Sequence, residues 1–209
     1  ETIPFLKAGY LYWSRFEKGK DYRTHLRRLN QDGAHEEVVL DENQLAAHVE
    51  HLQLLDSKLS PNGRYLAYAT DVEGSGAAKL YVKDLSTGQQ LPLMIPDLAW
   101  GQFTWGPQSD AIYTVKSDTA FRAYQIWRHE LAAKTQPRLV YEESDVEFSA
   151  FAALSQDQST VFIVSSSANA SEIYVHDTAG LHLLASRRQN ALMSVERDGG
   201  LFISSNHEN

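Results

Sequence analysis

Residues 79–85 read KLYVKDL, residues 125–131 read QIWRHEL, and residues 172–178 read EIYVHDT. β-Branched and aromatic residues dominate all three segments, so each is typical of a β-strand. Successive copies begin 46 and then 47 residues apart, at Lys79, Gln125 and Glu172. Self-similarity at a fixed period of this size is the signature of a repeat architecture. The chain is therefore predicted to be built from repeated β units.

The surroundings of each copy define the rest of the unit. An apolar run precedes each copy, and a polar turn precedes that run; the three turns are residues 60–63 (SPNG), 106–109 (GPQS) and 155–158 (SQDQ). After two of the copies, Gly88 and Gly180 stand where a short hairpin loop requires a positive φ. One unit thus contains four antiparallel strands, and four strands in about 40 to 50 residues are typical of a β-propeller blade.

This spacing predicts an all-β fold in which residues 1–209 form one incomplete β-propeller of about four four-stranded blades. Propellers usually have about four to eight blades, so this is roughly half a ring. The strands are apolar on both faces, which predicts that neighbouring blades cover them on both sides. The predicted blades are an incomplete first blade at 9–41, full blades at 50–95, 97–142 and 145–188, and a partial blade at 191–209.

One segment departs from the strand pattern. Between Glu42 and Leu55, Leu45, Val49 and Leu52 recur at helical spacing after Asp41, a suitable N-cap. We therefore expect a short helix or loop excursion between the first two blades.

Composition excludes several functions. Of the 209 residues, 43% are apolar and 11% aromatic, which is ample for a buried core, and the net charge of −8 opposes nucleic-acid binding and favours a basic partner. The sequence contains neither an apolar run long enough to span a membrane nor a signal peptide, so no membrane partner is expected. It has no cysteine, which permits a reducing compartment; we expect a cytoplasmic location, with the periplasm as the alternative.

Two groups of polar residues invite a search for chemistry. His48 and His51 flank Glu50 at a spacing that could present two imidazoles on one helix face, but no third metal ligand is fixed by the sequence. Residues 165–167 are three serines at a strand end, and no neighbouring base would activate them as nucleophiles. We expect these serines to satisfy backbone groups in a tight loop.

Other motifs favour structural roles. Residues 169–171 have the form of a glycosylation sequon, and residues 74–76 (GSG) precede a strand instead of a phosphate-binding helix, so they are predicted to be a flexible loop. Five aromatic residues lie at similar points of the repeats and are assigned mostly to packing between blades. They are Trp13, Tyr81, Trp105, Trp127 and Tyr174.

An ordered set of segments resembles a known family. Residues 9–22, 36–43, 59–68, 124–129, 139–143 and 165–167 are similar, in order, to the N-terminal propeller of the prolyl oligopeptidase family, and within it to the oligopeptidase B branch. The resemblance implies a seven-bladed propeller that caps an α/β-hydrolase domain. The hydrolase domain would carry a Ser-Asp-His triad and cleave peptides after lysine or arginine, and the propeller would limit access to short peptides. This chain contains no Gly-x-Ser-x-Gly motif, so we expect no catalytic, cofactor-binding or metal-binding residue in it.

Two functions follow from these observations. The chain is either the non-catalytic, substrate-gating part of a serine oligopeptidase, with peptide substrates as partners through the hydrolase domain, or a free-standing propeller that serves as an interaction scaffold. Both ends of the sequence look cut, which indicates a fragment of about half of a seven-bladed ring. Open blade edges favour self-association, either through Phe202 and Ile203 or through the strand at residues 10–13.

Overall fold

The computed structural model describes residues 1–132 and 135–206, whose strands form five antiparallel sheets. The first sheet contains β1 (Phe5–Lys7), β2 (Tyr10–Phe16), β3 (Arg23–Leu29) and β4 (Glu37–Asp41). The second contains β5 (Gln53–Leu59), β6 (Tyr65–Asp71), β7 (Ala77–Asp84) and β8 (Gln90–Ala99). The third contains β9 (Phe103–Trp105), β10 (Ala111–Ser117), β11 (Ala123–Glu130) and β12 (Arg138–Glu142). The fourth contains β13 (Ser149–Leu154), β14 (Val161–Ser166), β15 (Ser171–Asp177) and β16 (Gly180–Ala185), and the fifth pairs β17 (Met193–Arg197) with β18 (Leu201–Ser205).

In each four-stranded sheet every strand pairs with the next strand in the sequence. The predicted all-β fold of four-stranded antiparallel units is therefore confirmed, and the repeated sequence segment is the third strand of the second, third and fourth sheets. Residues 133–134, within the predicted 97–142 blade, and residues 207–209, at the end of the predicted 191–209 blade, lie outside the described residues. In the described part of the chain, no helix has the length and apolar character required to cross a membrane.

The connections alternate between two ends of the sheets. In each four-stranded sheet, the first strand ends and the second begins at the same end of the sheet as the third strand ends and the fourth begins; we call this end the turn face. The loops between second and third strands, and the linkers to the next sheet, lie at the other end, the linker face. Neighbouring turn faces are in contact, since the Asn62 amide donates a hydrogen bond of 3.1 Å to Ser109 Oγ of the next sheet.

The predicted turn at residues 60–63 shows how the sequence ends a strand. The Ser60 hydroxyl and the Arg64 amide both donate to Asn62 Oδ1, at 2.7 and 3.0 Å. Gly63 has a φ of 71°, and a Cβ at this position would lie 2.5 Å from Ala8 Cβ. Glycine is therefore required both by the turn and by its close approach to the first sheet.

The first blade differs from the prediction. It was expected to be incomplete over residues 9–41, but β1 adds a fourth strand and places Phe5 opposite Tyr12. The turn consists of Ala8 and Gly9, with φ values of 48° and 79°. Such a two-residue turn suits an antiparallel hairpin, but alanine is an unusual residue for it, so the turn could not be recognised from the sequence.

The predicted helical segment is shorter than its periodicity suggested. Helix α1 covers only Glu42–Ala46, and Asp41 is its N-cap, as predicted, accepting a hydrogen bond from the Asn43 amide. The chain is extended from Gln53 onward because β5 pairs with β6. The helical spacing therefore holds only as far as Leu45, because Val49 and Leu52 lie in the irregular segment between α1 and β5.

The core lies between adjacent sheets. Three clusters of buried residues join the first sheet to the second, the second to the third, and the third to the fourth. The side chains with the least exposure include Trp105, Phe162, Leu80, Ile112 and Ile173. Each inner sheet is therefore covered on both faces, as the apolar strands predicted.

The aromatic residues divide between two kinds of contact. Trp105 stacks on Tyr65 of the preceding sheet, with ring centroids 6.2 Å apart, and Tyr174 packs on Tyr141 of the preceding sheet. These two contacts agree with the predicted packing between blades. Tyr81 stacks on Tyr68 of its own sheet and also packs against the buried cluster that joins the first and second sheets. The Trp127 ring contacts Lys116 of its own sheet. The prediction is therefore correct for only part of the set.

Candidate functional site

The first strands of the four-stranded sheets converge on a cleft of about 590 Å³. Lys58 lies in this cleft, where its ammonium pairs with Asp56 at 2.7 Å and donates to the Phe103 carbonyl at 2.7 Å. Lys7 also lines it and donates to the Leu59 carbonyl, and burial lowers the pKa of Lys7. Both ammonium groups therefore donate to a carbonyl of the next sheet, Lys7 to β5 and Lys58 to β9.

Ser165 does not lie in a loop, as the sequence suggested, but within β14, where it is fully buried. Its hydroxyl donates to the carboxylate of Glu143, a side chain only 3% exposed. The Tyr141 hydroxyl donates to the same carboxylate at 2.8 Å. This serine is therefore a structural hydrogen-bond donor and cannot be reached by a substrate.

Arg187 completes a polar cluster around Glu143. Its guanidinium lies 2.6 Å from Glu143, 2.9 Å from Glu172 and 3.2 Å from Asp145, and it stacks 3.5 Å from the centroid of the Phe148 ring. We call these five residues the Glu143 cluster. Three of the five residues lie in the linker at residues 143–148, whereas Glu172 lies in β15 and Arg187 follows β16, so the cluster fixes that linker to the fourth sheet.

Two aromatic side chains project from the linker face. Trp100 is 58% exposed and Phe121 is 68% exposed, and their ring centroids are 6.4 Å apart. Their φ values are 52° and 62°, in the left-handed region that bulky residues rarely adopt. Strained backbone of this kind persists only where the surroundings hold it in place, and it clusters at functional sites. We call Trp100 and Phe121 the aromatic pair.

The loop under Trp100 is held by one carboxylate. Asp71 accepts hydrogen bonds from the amides of Glu73, Gly74 and Gly76, at 2.9, 2.8 and 2.7 Å. The Trp100 ring covers Gly76, where a Cβ would lie 3.1 Å from the ring. The segment predicted to be a flexible loop is thus extensively hydrogen-bonded, and the aspartate ahead of the glycines is the sequence signal for this arrangement.

A second carboxylate supports Phe121. Asp118 accepts from the amides of Ala120 and Arg122 and from Arg122 Nε, all at 2.9 to 3.0 Å. Arg122 also donates to three carbonyls of the linker at residues 143–148. Both exposed rings are therefore supported by hydrogen-bonded loops, one held by Asp71 and the other by Asp118.

The other candidate residues do not form a site. Helix α1 ends at Ala46, so His48 and His51 do not share a helical face. In the described part of the chain, no group of three or more His, Asp or Glu side chains could hold a metal ion. Asn169 of the sequon is exposed, whereas Ser171 is buried and its hydroxyl accepts from the Met193 amide.

Comparisons with known proteins agree on one family. The model of the family described as "Prolyl oligopeptidase, N-terminal beta-propeller domain" matches residues 1–209. Protease 2 of Moraxella lacunata is 34% identical over 206 residues, which cover 93% of this chain and 30% of that protein. Dipeptidyl aminopeptidase BI of Pseudoxanthomonas mexicana is 30% identical over 189 residues, which cover 82% of this chain and 26% of that protein.

Solved structures show the same similarity. Oligopeptidase B from Leishmania major superposes with a TM-score of 0.87 at 26% identity, over 97% of this chain and 30% of the other. Oligopeptidase B from Trypanosoma brucei, in a closed form with covalently bound antipain, gives a TM-score of 0.84 at 25% identity. The chain thus spans about 30% of the length of these relatives.

Proposed function

The chain belongs to the prolyl oligopeptidase family as its N-terminal β-propeller domain. From this we propose that it is the non-catalytic, substrate-gating part of a serine oligopeptidase, an enzyme that cleaves short peptides after arginine or lysine. The gating proposal is supported by the cleft of about 590 Å³, because the first strand of each four-stranded sheet lines it. We expect this cleft to admit an extended peptide and to exclude a folded protein.

Charge and the aromatic pair support a peptide partner. The net charge of −8 attracts cationic peptides at a distance. Trp100 and Phe121 add a preformed apolar contact on the linker face, where little conformational entropy is lost on binding. We infer that this pair contacts the peptide or the catalytic domain in the whole enzyme.

We also propose a cytoplasmic location, with the periplasm as the alternative.

The alternative function is a free-standing propeller that serves as an interaction scaffold. The aromatic pair would suit such a role equally well, since exposed aromatic residues often anchor protein contacts. The two functions differ in what the whole gene product does. A peptidase must hydrolyse an arginyl or lysyl peptide amide in a reaction blocked by a serine-directed reagent, whereas a scaffold hydrolyses none.

Replacing Trp100 by glycine in the whole gene product is expected to lower kcat/KM for a short arginyl peptide about tenfold, since a lost aromatic contact is worth about 1 to 2 kcal/mol. Thermal stability should not fall, because glycine adopts the φ of 52° at this position without strain. Steady-state kinetics and thermal unfolding measure the two effects.

The matched control is Met94→Ala, which removes another half-exposed apolar side chain, from β8. It should leave kcat/KM within about twofold of the unmodified enzyme. Equal losses in the two variants would show that the aromatic pair has no special role. Absence of any hydrolysis by the unmodified gene product would favour the scaffold.

The hairpin of β17 and β18 is expected to mediate self-association of the 209-residue chain. Leu201, Phe202 and Ile203 are all exposed, whereas Tyr12 and Trp13 are buried, so the hairpin exposes more apolar surface than the strand of residues 10–13. Substituting Ile203→Lys should shift dimers toward monomers, because burying an unpaired ammonium costs several kcal/mol. Light scattering over a concentration series measures the shift; a monomeric unmodified chain at high concentration would contradict it.

A further inference from the structure

A second cleft, of about 520 Å³, lies on the turn face between the third and fourth sheets. It is lined by three arginines, Arg128 and Arg138 of the third sheet and Arg197 at the end of β17, and by His176 of the fourth sheet. We call it the arginine pocket. It lies at the opposite end of the sheets from the aromatic pair and shares no lining residue with the cleft of about 590 Å³.

Strand pairing puts two of these arginines next to each other. A register shift between Ile126 and Trp127 places Arg128 directly opposite Arg138 on the neighbouring strand. Directly opposed residues present their side chains on the same face, and like charges in this position destabilise a sheet. Tyr113 lies opposite Arg128 on the other side, so a tyrosine and two arginines form one row across three strands.

The row faces the fourth sheet. The Tyr113 hydroxyl and His176 Nδ1 are 2.8 Å apart, and both residues are buried at the base of the pocket. Burial and then the charges of Arg138 and Arg128 lower the pKa of His176, and Asp177 opposes this with a smaller effect. The guanidinium groups of Arg138 and Arg128 therefore act on the base of the pocket, and the carboxylate of Asp177, which also lines it, opposes them.

The arginines differ in how far they are neutralised. Arg128 pairs with Glu130 and lies 3.8 Å from Asp110, and Arg197 lies 3.6 Å from Asp157. For Arg138, no carboxylate among residues 1–132 and 135–206 lies within ion-pair distance. Its guanidinium, with five N–H donors in a planar fork, is suited to a phosphate or carboxylate.

We propose that the arginine pocket binds a small oxyanion ligand, a molecule with phosphate or carboxylate groups that bridge Arg128 and Arg138. Such a ligand would relieve the repulsion between the opposed guanidinium groups. It would also contact the third and fourth sheets together and stabilise their packing. A ligand bound there would therefore act on the propeller at the end remote from the aromatic pair.

The test is calorimetric titration of the purified protein at low salt, with inorganic pyrophosphate in one arm and citrate in the other. Saturable binding of either anion at one site per chain is expected, and the arm that binds more tightly identifies phosphate or carboxylate as the preferred group. Arg138→Gln should weaken that binding about tenfold or more, since it removes a charge-assisted hydrogen bond. Without ligand, this variant should be at least as thermally stable as the unmodified protein, because the like-charge repulsion is gone.

Arg188→Gln is the matched control. Arg188 is exposed on the linker between β16 and β17, at the other end of the sheets, and its loss changes the net charge equally. Affinity should stay within about twofold in this variant. No saturable binding of either anion, or equal weakening by both substitutions, overturns the proposal. Neither result bears on the peptidase function, because the assay measures binding alone.

Discussion

Replacing Arg187 by methionine is expected to destabilise the fold by about 3 to 5 kcal/mol, the usual effect of removing one partner of a buried ion pair. The side chains of Glu143 and Glu172 are only 3% and 13% exposed, and Arg187 is the cation that pairs with both. Methionine keeps an apolar contact with Phe148 but leaves the two carboxylates without a counter-charge. Urea unfolding, followed by tryptophan fluorescence, measures the loss.

Arg188→Met controls for this substitution, because the neighbouring side chain is exposed and its change should stay within about 0.5 kcal/mol. Adding Glu143→Gln to the Arg187→Met variant should restore part of the lost stability, since the unpaired charge is then removed. A loss of less than about 1 kcal/mol in Arg187→Met would show that water enters the cluster and solvates the carboxylates.

The loss of stability in the Arg187→Met variant is expected to depend on pH, because the Glu143 cluster contains titratable carboxyl groups. Burial tends to raise the pKa of Glu143, but hydrogen bonds from Ser165, the Asp145 amide and Tyr141, together with the charge of Arg187, hold it below its usual value of 4.5. A carboxyl with a lowered pKa stabilises the fold above its unfolded pKa, and this contribution disappears as the pH falls through the folded pKa. The difference in stability between the unmodified protein and Arg187→Met should therefore shrink below about pH 4.5.

Truncating Trp105 to alanine is expected to cost about 3 to 5 kcal/mol, the range for removing a large aromatic side chain from a core. Trp105 is fully buried in the cluster that joins the second and third sheets, and its indole Nε1 donates to the Lys58 carbonyl at 2.9 Å. The substitution leaves a cavity between two sheets and an unsatisfied carbonyl. Chemical denaturation should show a lower midpoint for the variant.

Trp100→Ala is the comparison for Trp105, because it removes the same side chain from an exposed site. Its effect should be below about 1 kcal/mol. Trp105→Phe, which keeps most of the apolar volume but loses the hydrogen bond, should fall between the two. Equal destabilisation by Trp105→Ala and Trp100→Ala would show that packing of Trp105 between the second and third sheets contributes little to the free energy of unfolding.

Local sequence patterns were sufficient for the architecture. The spacing of the repeated segments predicted the third strands of the second, third and fourth sheets, and the turn at residues 60–63 and Gly88 marked strand connections correctly. Asp41 was identified as a helix cap. These features depend on residues close together in the chain, whose backbone preferences and burial act within a few positions. The family was recognisable for the same reason, since its segments occur in order along the chain.

The sites depended on contacts between distant residues. Arg187 meets Glu143 across 44 positions, and Tyr113 meets His176 across 63. Arg128 opposes Arg138 only because a register shift in one strand pair moves Arg138 by one residue, and periodicity does not reveal such a shift. A repeated four-stranded unit and its family could be predicted from the sequence, because both follow from local preferences. Which charges and rings meet could not be predicted in this way, because those contacts depend on how each sheet packs on the next.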